Sequence, residues 1–260
     1  MTTKVFTLTS LFAFTLIACL ACFAPAACAQ DVYSSISTAH FEVKYQKGVA
    51  ESDVRKVATF LQDDYRYLSE RIGIEMPKKL EVRIYGSRGK FQYEAGTRAD
   101  WRNVIFAKNI LHITPVQGII AKRSFLYALS FEFTLAFLDP LGNKGCPLWL
   151  REALAVEHSG EGDVLTPPMG ARLVSFADLN QDIQEYPDPP QRDDVHYVLD
   201  RTMKFFIEKY GENKSYALFK EFMSTFSVER VFKKVLGEDY PAVEKSWAGY
   251  IAAHSAPMKY

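Results

Sequence analysis

Residues 129–138 read LSFEFTLAFL and residues 147–155 read PLWLREALA. The first stretch is apolar except for one acid, Glu132, set between Phe131 and Phe133. A carboxylate in such surroundings costs several kcal/mol or more unless it is paired, hydrogen-bonded or protonated, so Glu132 needs a partner or a task. On a helix Phe131 and Leu135 share a face, and Glu132 lies about 100° to one side. Glu152, inside the second stretch, follows Leu135 by 17 positions.

The pattern around these stretches predicts a helix over about 118–138, a turn at 139–145 (DPLGNKG), and a second helix from Pro147 to about His158. Upstream, HFEVKYQ (40–46) and LEVRIY (80–85) alternate as half-buried strands. Between them Val54, Val57, Ala58, Leu61, Tyr65, Leu68 and Ile72 recur at helical spacing, with Gly73 past the end. NVIFAKNILHIT (103–114) reads as a strand or as a hairpin turning near Lys108-Asn109. Downstream, a polar, proline-rich connection over 160–193 holds one ordered piece around Ser175–Leu179. Helices are expected near 194–210, 213–226, 227–236 and 240–253, with Asp193, Asn213, Ser227 and Asp239 as caps and Gly211 and Gly237 as stops. The fold class is therefore α+β: a small N-terminal mixed sheet with a helix (30–117), then a mainly helical part (118–260), the two forming one domain.

Residues 1–29 are a different material. Lys4 precedes an apolar run from Val5 to Phe23, and Ala27-Cys28-Ala29 suits cleavage after Ala29, so a secretory signal and an exported, periplasmic or extracellular protein are expected. Leu16-Ile17-Ala18-Cys19 also suits lipid attachment at Cys19, the one route to a membrane in this reading, since no later stretch is expected to span a bilayer. Cleavage would leave Cys146 as the remaining cysteine, a buried filler with no disulfide partner. Acidic and basic residues balance at 31 each, and no basic stripe accompanies the aromatics, which argues against nucleic acid.

Taken together these residues resemble the gluzincin metallopeptidases, and within them the peptidase-MA-like domain family, whose pattern is an H-E-x-T-H helix, a short turn and P-x-W-L-x-E-G-L-A. PLWLREALA keeps that second motif except that Ala153 replaces glycine, and Thr134 matches the first. HFEVKYQ, LEVRIY, FFIEKYG (205–211) and the Gly237–Trp247 segment extend the likeness over nearly the whole mature chain. The resemblance implies a zincin-like fold, with Glu132 at the place of the general base and Glu152 at the place of the third zinc ligand. Phe131 and Leu135 stand where the family has its two histidines. Neither side chain has a lone pair, so the resemblance is to a degenerate member, and no cofactor is expected where active relatives carry zinc.

Without metal, Glu132 could be protonated, could pair with Arg151 or Arg172, or could face a wet cleft. His196 has an uncertain register near a tyrosine of relatives and is a minor candidate ligand. His158 reads as a helix-end residue, and His40, His112 and His254 as structural or solvent-facing. GSRGK (86–90) lacks the spacing of a phosphate loop. The expected function is binding of a peptide or protein segment without hydrolysis. Two alternatives stay open: a metal-free hydrolase using Glu132 and Glu152 as a carboxylate pair, and a purely structural envelope protein.

Overall fold

The computed structural model describes residues 33–166, 175–185 and 191–254. The leader with Cys19, and Arg172 in the proline-rich connection, lie outside the described residues. Tyr33–Tyr260 forms one compact unit. The architecture is α+β: a small mixed sheet in the N-terminal part and a mostly helical C-terminal part.

Among the described residues five strands form one sheet, ordered β1-β2-β3-β5-β4. They are β1 (Tyr33–Ser37), β2 (Phe41–Gln46), β3 (Leu80–Ile84), β4 (Val104–Ala107) and β5 (Ile110–Ile113). β2, β3 and β5 run parallel, and the edge strands β1 and β4 are antiparallel to their neighbours. Helix α1 (Glu51–Ile72) makes the crossover from β2 to β3, buries the seven apolar residues that predicted it, and stops at Gly73, where φ is 73°. The β4–β5 hairpin turns at Lys108 and Asn109, whose φ values of 53° and 61° suit the two-residue turn that matches strand twist.

Two elements were not legible. β1, YSSIS, has one half-buried aliphatic residue and three serines, so no alternation marks it; pairing with β2 makes it a strand. Helix α2 (Arg88–Ala95) buries only Phe91 and Ala95, against Tyr85 and Ile105 on the outer sheet face. Ser87 caps it by accepting from Lys90 N–H, which accounts for the GSRGK stretch as a capping turn.

Helix α3 runs from Arg123 to Gly142, starting later than expected because Val116–Lys122 turns through Gly118 at φ 76°. It continues through Pro140, so part of the expected turn is helical. By length and composition α3 could cross a membrane, contrary to the sequence expectation. Its apolarity is that of a core helix here: Leu129, Phe133, Phe137 and Leu138 are at most 2% exposed.

Helix α4 (Leu148–Ser159) leads into a short 3-10 turn, Glu161–Val164. The ordered piece of the connection is a full helix, α5 (Phe176–Glu185). α6 (Gln191–Tyr210) starts before Asp193, so that residue is inside the helix instead of capping it. α7 (Glu212–Glu221) is shorter than expected and has Gly211, not Asn213, at its cap position. α8 (Val228–Leu236) is capped by the Ser227 hydroxyl, and α9 (Tyr240–His254) completes the helical part.

The helical core centres on Trp149. Its ring stacks on Phe176 at 3.9 Å, and Phe176 meets Trp247 at 4.5 Å. Trp149 N–H donates to Asn180 Oδ1, which satisfies one of the open donors at the start of α4 and ties α5 to it. Trp247 Nε1–H donates to the buried Thr202 hydroxyl. Because α4 carries Glu152, this packing sets where that carboxylate sits. Trp149→Ala is expected to cost about 3–5 kcal/mol of unfolding free energy, as for other large core truncations. Denaturant titration checks this; a loss below about 1 kcal/mol would show that the aromatic stack does not hold α4.

Candidate functional site

Phe131, Glu132 and Leu135 of α3, Glu152 of α4, and Arg192, Val195 and His196 of α6 line one cavity of about 210 Å³, together with Arg102, Phe106 and Ile183. A neighbouring hollow of about 270 Å³ shares Arg102, Phe131, Glu132, Arg192 and His196 and adds Trp101 and Glu161. The structure thus brings together all four residues singled out around the degenerate motif. It also adds His196, and four residues that sequence reasoning missed: Arg102, Phe106, Glu161 and Arg192.

Helix geometry accounts for the grouping. Arg192, Val195 and His196 stand at i, i+3 and i+4 and present one face of α6. Phe131 and Leu135 do the same on α3, with Glu132 turned toward the sheet edge. Phe106 N–H, in edge strand β4, donates to Glu132 Oε2 at 2.9 Å. That answers how the greasy helix tolerates its acid, and it corrects the expectation of Arg151 as the partner. Arg151 instead packs its guanidinium against Gly142, where an added Cβ would lie 3.0 Å from the guanidinium carbon.

Burial raises the Glu132 carboxyl above its ordinary range; the Phe106 N–H and the charges of Arg102 and Arg192 pull it back, while Glu161 pushes the same way as burial. Burial likewise pushes Glu152 up to about 7, opposed mainly by Arg192 and reinforced by Glu132. Two acids on separate helices therefore share one recess and hold their protons more tightly than in water.

His196 is 3% exposed, and its Nδ1 lies 3.0 Å from Glu161 Oε2. Burial lowers its pKa, with the Glu161 bond acting against that, while Glu161 is held low by the same bond. A neutral ring that donates Nδ1–H to Glu161 keeps its lone pair on Nε2, and Nε2 has no hydrogen-bond partner. The imidazole stacks on Phe131 at 5.0 Å, and the Arg192 guanidinium sits 5.3 Å from the centre of the Phe131 ring. Arg102 and Arg192 also lie over Trp101, at 4.9 and 5.8 Å.

Zinc does not fit this donor set. Phe131 and Leu135 offer no lone pair, Glu132 is engaged by Phe106, and among the described residues no three His, Cys, Asp or Glu side chains are grouped to hold a metal ion. His158 points elsewhere, stacked on Tyr67 at 4.9 Å and 3.6 Å from Asp64. His112 meets the Tyr85 hydroxyl at 2.6 Å on the outer sheet face, His40 stacks on Tyr65, and His254 donates to the Tyr250 carbonyl. Cys146 is a buried thiol whose pKa burial pushes up to about 12, as suits a filler.

No family model matches the sequence, and no curated protein matches it. Among solved structures the chain resembles an M1 zinc metallopeptidase from Deinococcus radiodurans, with a TM-score of 0.42 and 14% identity over 85% of this chain and 51% of that one. A mutant of a two-domain M1 zinc metallopeptidase bound to L-tryptophan gives a TM-score of 0.41 and 15% identity, with the same coverage. The chain spans about half the length of these structures.

The raised carboxyl of Glu152 has a thermodynamic consequence. The folded chain holds that proton more tightly than the unfolded chain, so unfolding releases it, and stability falls as pH rises from about 4.5, the ordinary value, to about 7. The loss is about 3 kcal/mol at most, since the recess admits solvent. Glu152→Gln is expected to flatten most of this fall and to be more stable than the natural chain at pH 8, with Glu132 supplying a residual slope. Urea midpoints at pH 4.5 and pH 8 check it; parallel profiles for the two proteins would contradict the burial of Glu152.

Proposed function

We propose that this is an exported protein of zincin-like fold, degenerate at the zinc site and catalytically inactive as a peptidase, which binds a peptide or protein segment in the cleft beside β4. The observation that carries the reading is the cavity itself. Phe131 and Leu135, at the places of the two lost histidines, line the same open recess as Glu132 and Glu152. Hydrocarbon has replaced the metal's nitrogen donors without closing the cleft. The open cavity also weighs against a purely structural role, in which that space would be filled.

An extended segment can add to a sheet edge through main-chain hydrogen bonds, with pockets beneath for alternate side chains. β4 is such an edge. Its Phe106 N–H is already taken by Glu132, so a captured segment uses the neighbouring groups of β4 or displaces the carboxylate. Phe131→His combined with Leu135→His is expected to confer zinc affinity, because the two positions share a helix face opposite Glu152. Isothermal titration with zinc checks it. A well-folded double variant with unchanged affinity would overturn the assignment of ancestry, and stoichiometric zinc in the unaltered protein would overturn the loss of the site.

A second reading has one observation in its favour: Glu132 and Glu152 line the same cavity, and Glu152 is poised at about 7. A carboxyl at that value can act as a general acid in metal-free hydrolysis, for instance of a glycan. On this reading Glu132→Gln and Glu152→Gln each lower hydrolysis of an oligosaccharide panel by a hundredfold or more. Absence of turnover by the unaltered chain, or equal turnover by the variants, removes it.

A further inference from the structure

The recess is unbalanced in charge and in hydrogen bonding, and both imbalances have the same sign. Around it and its neighbouring hollow stand three carboxylates, Glu132, Glu152 and Glu161, and two guanidinium groups, Arg102 and Arg192. With all five ionised the site carries one negative charge in excess. His196, 97% shielded from solvent, has an Nε2 that lacks a partner, and with Nδ1–H directed to Glu161 that nitrogen is an acceptor in want of a donor. Phe131, Leu135, Ile183 and Val195 supply apolar wall to the same cavity.

Resting on the peptide-binding reading above, we propose that the recess takes a lysine side chain of the bound segment, its methylenes against the apolar wall and its ammonium among Glu132, Glu152 and His196 Nε2. A carboxylate or phosphate would bring a fourth anionic group and no donor for Nε2. An amide or hydroxyl could satisfy Nε2 but would leave the charge excess in place. An ammonium answers both, because it is a compact cation with three donors on one atom, and its acceptors come from three separate helices, α3, α4 and α6. Guanidinium is a planar fork suited to two parallel oxygens of one partner, which these separated acceptors do not offer. The apolar stem and charged head of lysine also match the layout of the walls. The upward push on Glu152 has the same origin, since a carboxylate short of cationic company keeps its proton.

Calorimetric titration of the full chain at pH 7.5 with Nα-acetyl-lysine methylamide tests this, with the norleucine and glutamate analogues as neutral and anionic probes. The lysine probe is expected to bind at least tenfold more tightly than either analogue, and Glu152→Gln to weaken it at least tenfold while keeping a native circular dichroism spectrum. Equal binding of the norleucine probe, tighter binding of the glutamate probe, or no binding of the lysine probe overturns the assignment. A panel of extended peptides separates the two readings. Peptides bound regardless of lysine sink the ammonium and leave peptide capture standing; lysine probe bound with no extended peptide bound does the reverse.

Discussion

The site depends on one hydrogen bond, from the Phe106 main chain in edge strand β4 to the Glu132 carboxylate in α3. It joins the sheet to the helical part at the one place where the most apolar helix of the fold carries an acid. Hydrogen bonds to ionised groups contribute more than neutral ones, and an unmade one at a buried carboxylate costs more still. The bond therefore acts in both directions: it makes Glu132 tolerable inside the fold, and it holds β4 against α3, so that the cleft has a fixed wall. Arg102, two residues before β4, is brought by the same docking to the mouth of the recess.

On the other wall, Phe131 changes the meaning of its neighbours. A histidine there would present a lone pair to a metal. The phenylalanine instead offers a ring face, and the structure uses it twice, against the His196 imidazole and under the Arg192 guanidinium. Both α6 residues are thereby drawn toward α3, and Glu161 follows through its bond to His196. The loss of nitrogen donors is thus coupled to a rearranged second wall, in which an aromatic and cationic cluster occupies space beside the two acids. The chemistry of the recess is one of charge and hydrogen bonding between side chains fixed on helices.

How much of this the sequence disclosed follows from the kind of signal each residue leaves. Glu132 was visible because its neighbours are greasy, and Glu152 because PLWLREALA is a long, specific string. α1 was visible because its seven buried residues keep one period over 22 positions. β1 and α2 left little trace, since each buries only one or two side chains and is held mainly by pairing or packing against a neighbour. Arg102, Glu161 and Arg192 were silent for another reason. Each is an ordinary charged residue in a loop, a turn or a helix start, and its importance comes from tertiary proximity to residues tens of positions away. Only Arg192 and His196, four apart, carried even a local hint, and nothing in the sequence said which face of α6 would meet α3. The partner of Glu132 was illegible in principle, because any residue can donate a main-chain N–H.

The two acids of the recess are tolerated unequally, and the difference bears on function. Glu132 has a hydrogen bond that favours its ionised form and so offsets part of the cost of burial. Glu152 has no such donor among the causes that shift it; the fields of Arg192, Arg151 and Arg102 act on it, and burial still outweighs them. A group left in that condition is a reservoir of unfavourable energy in the folded chain at neutral pH. Gln in its place would remove the ionisation cost while keeping the shape. Only an interaction that favours the ionised form beyond what the folded chain provides offsets that cost, and a bound cation is the simplest such interaction. The instability of Glu152 by itself and the vacant acceptor on His196 are then two expressions of one fact: the recess is complete only with a donor in it.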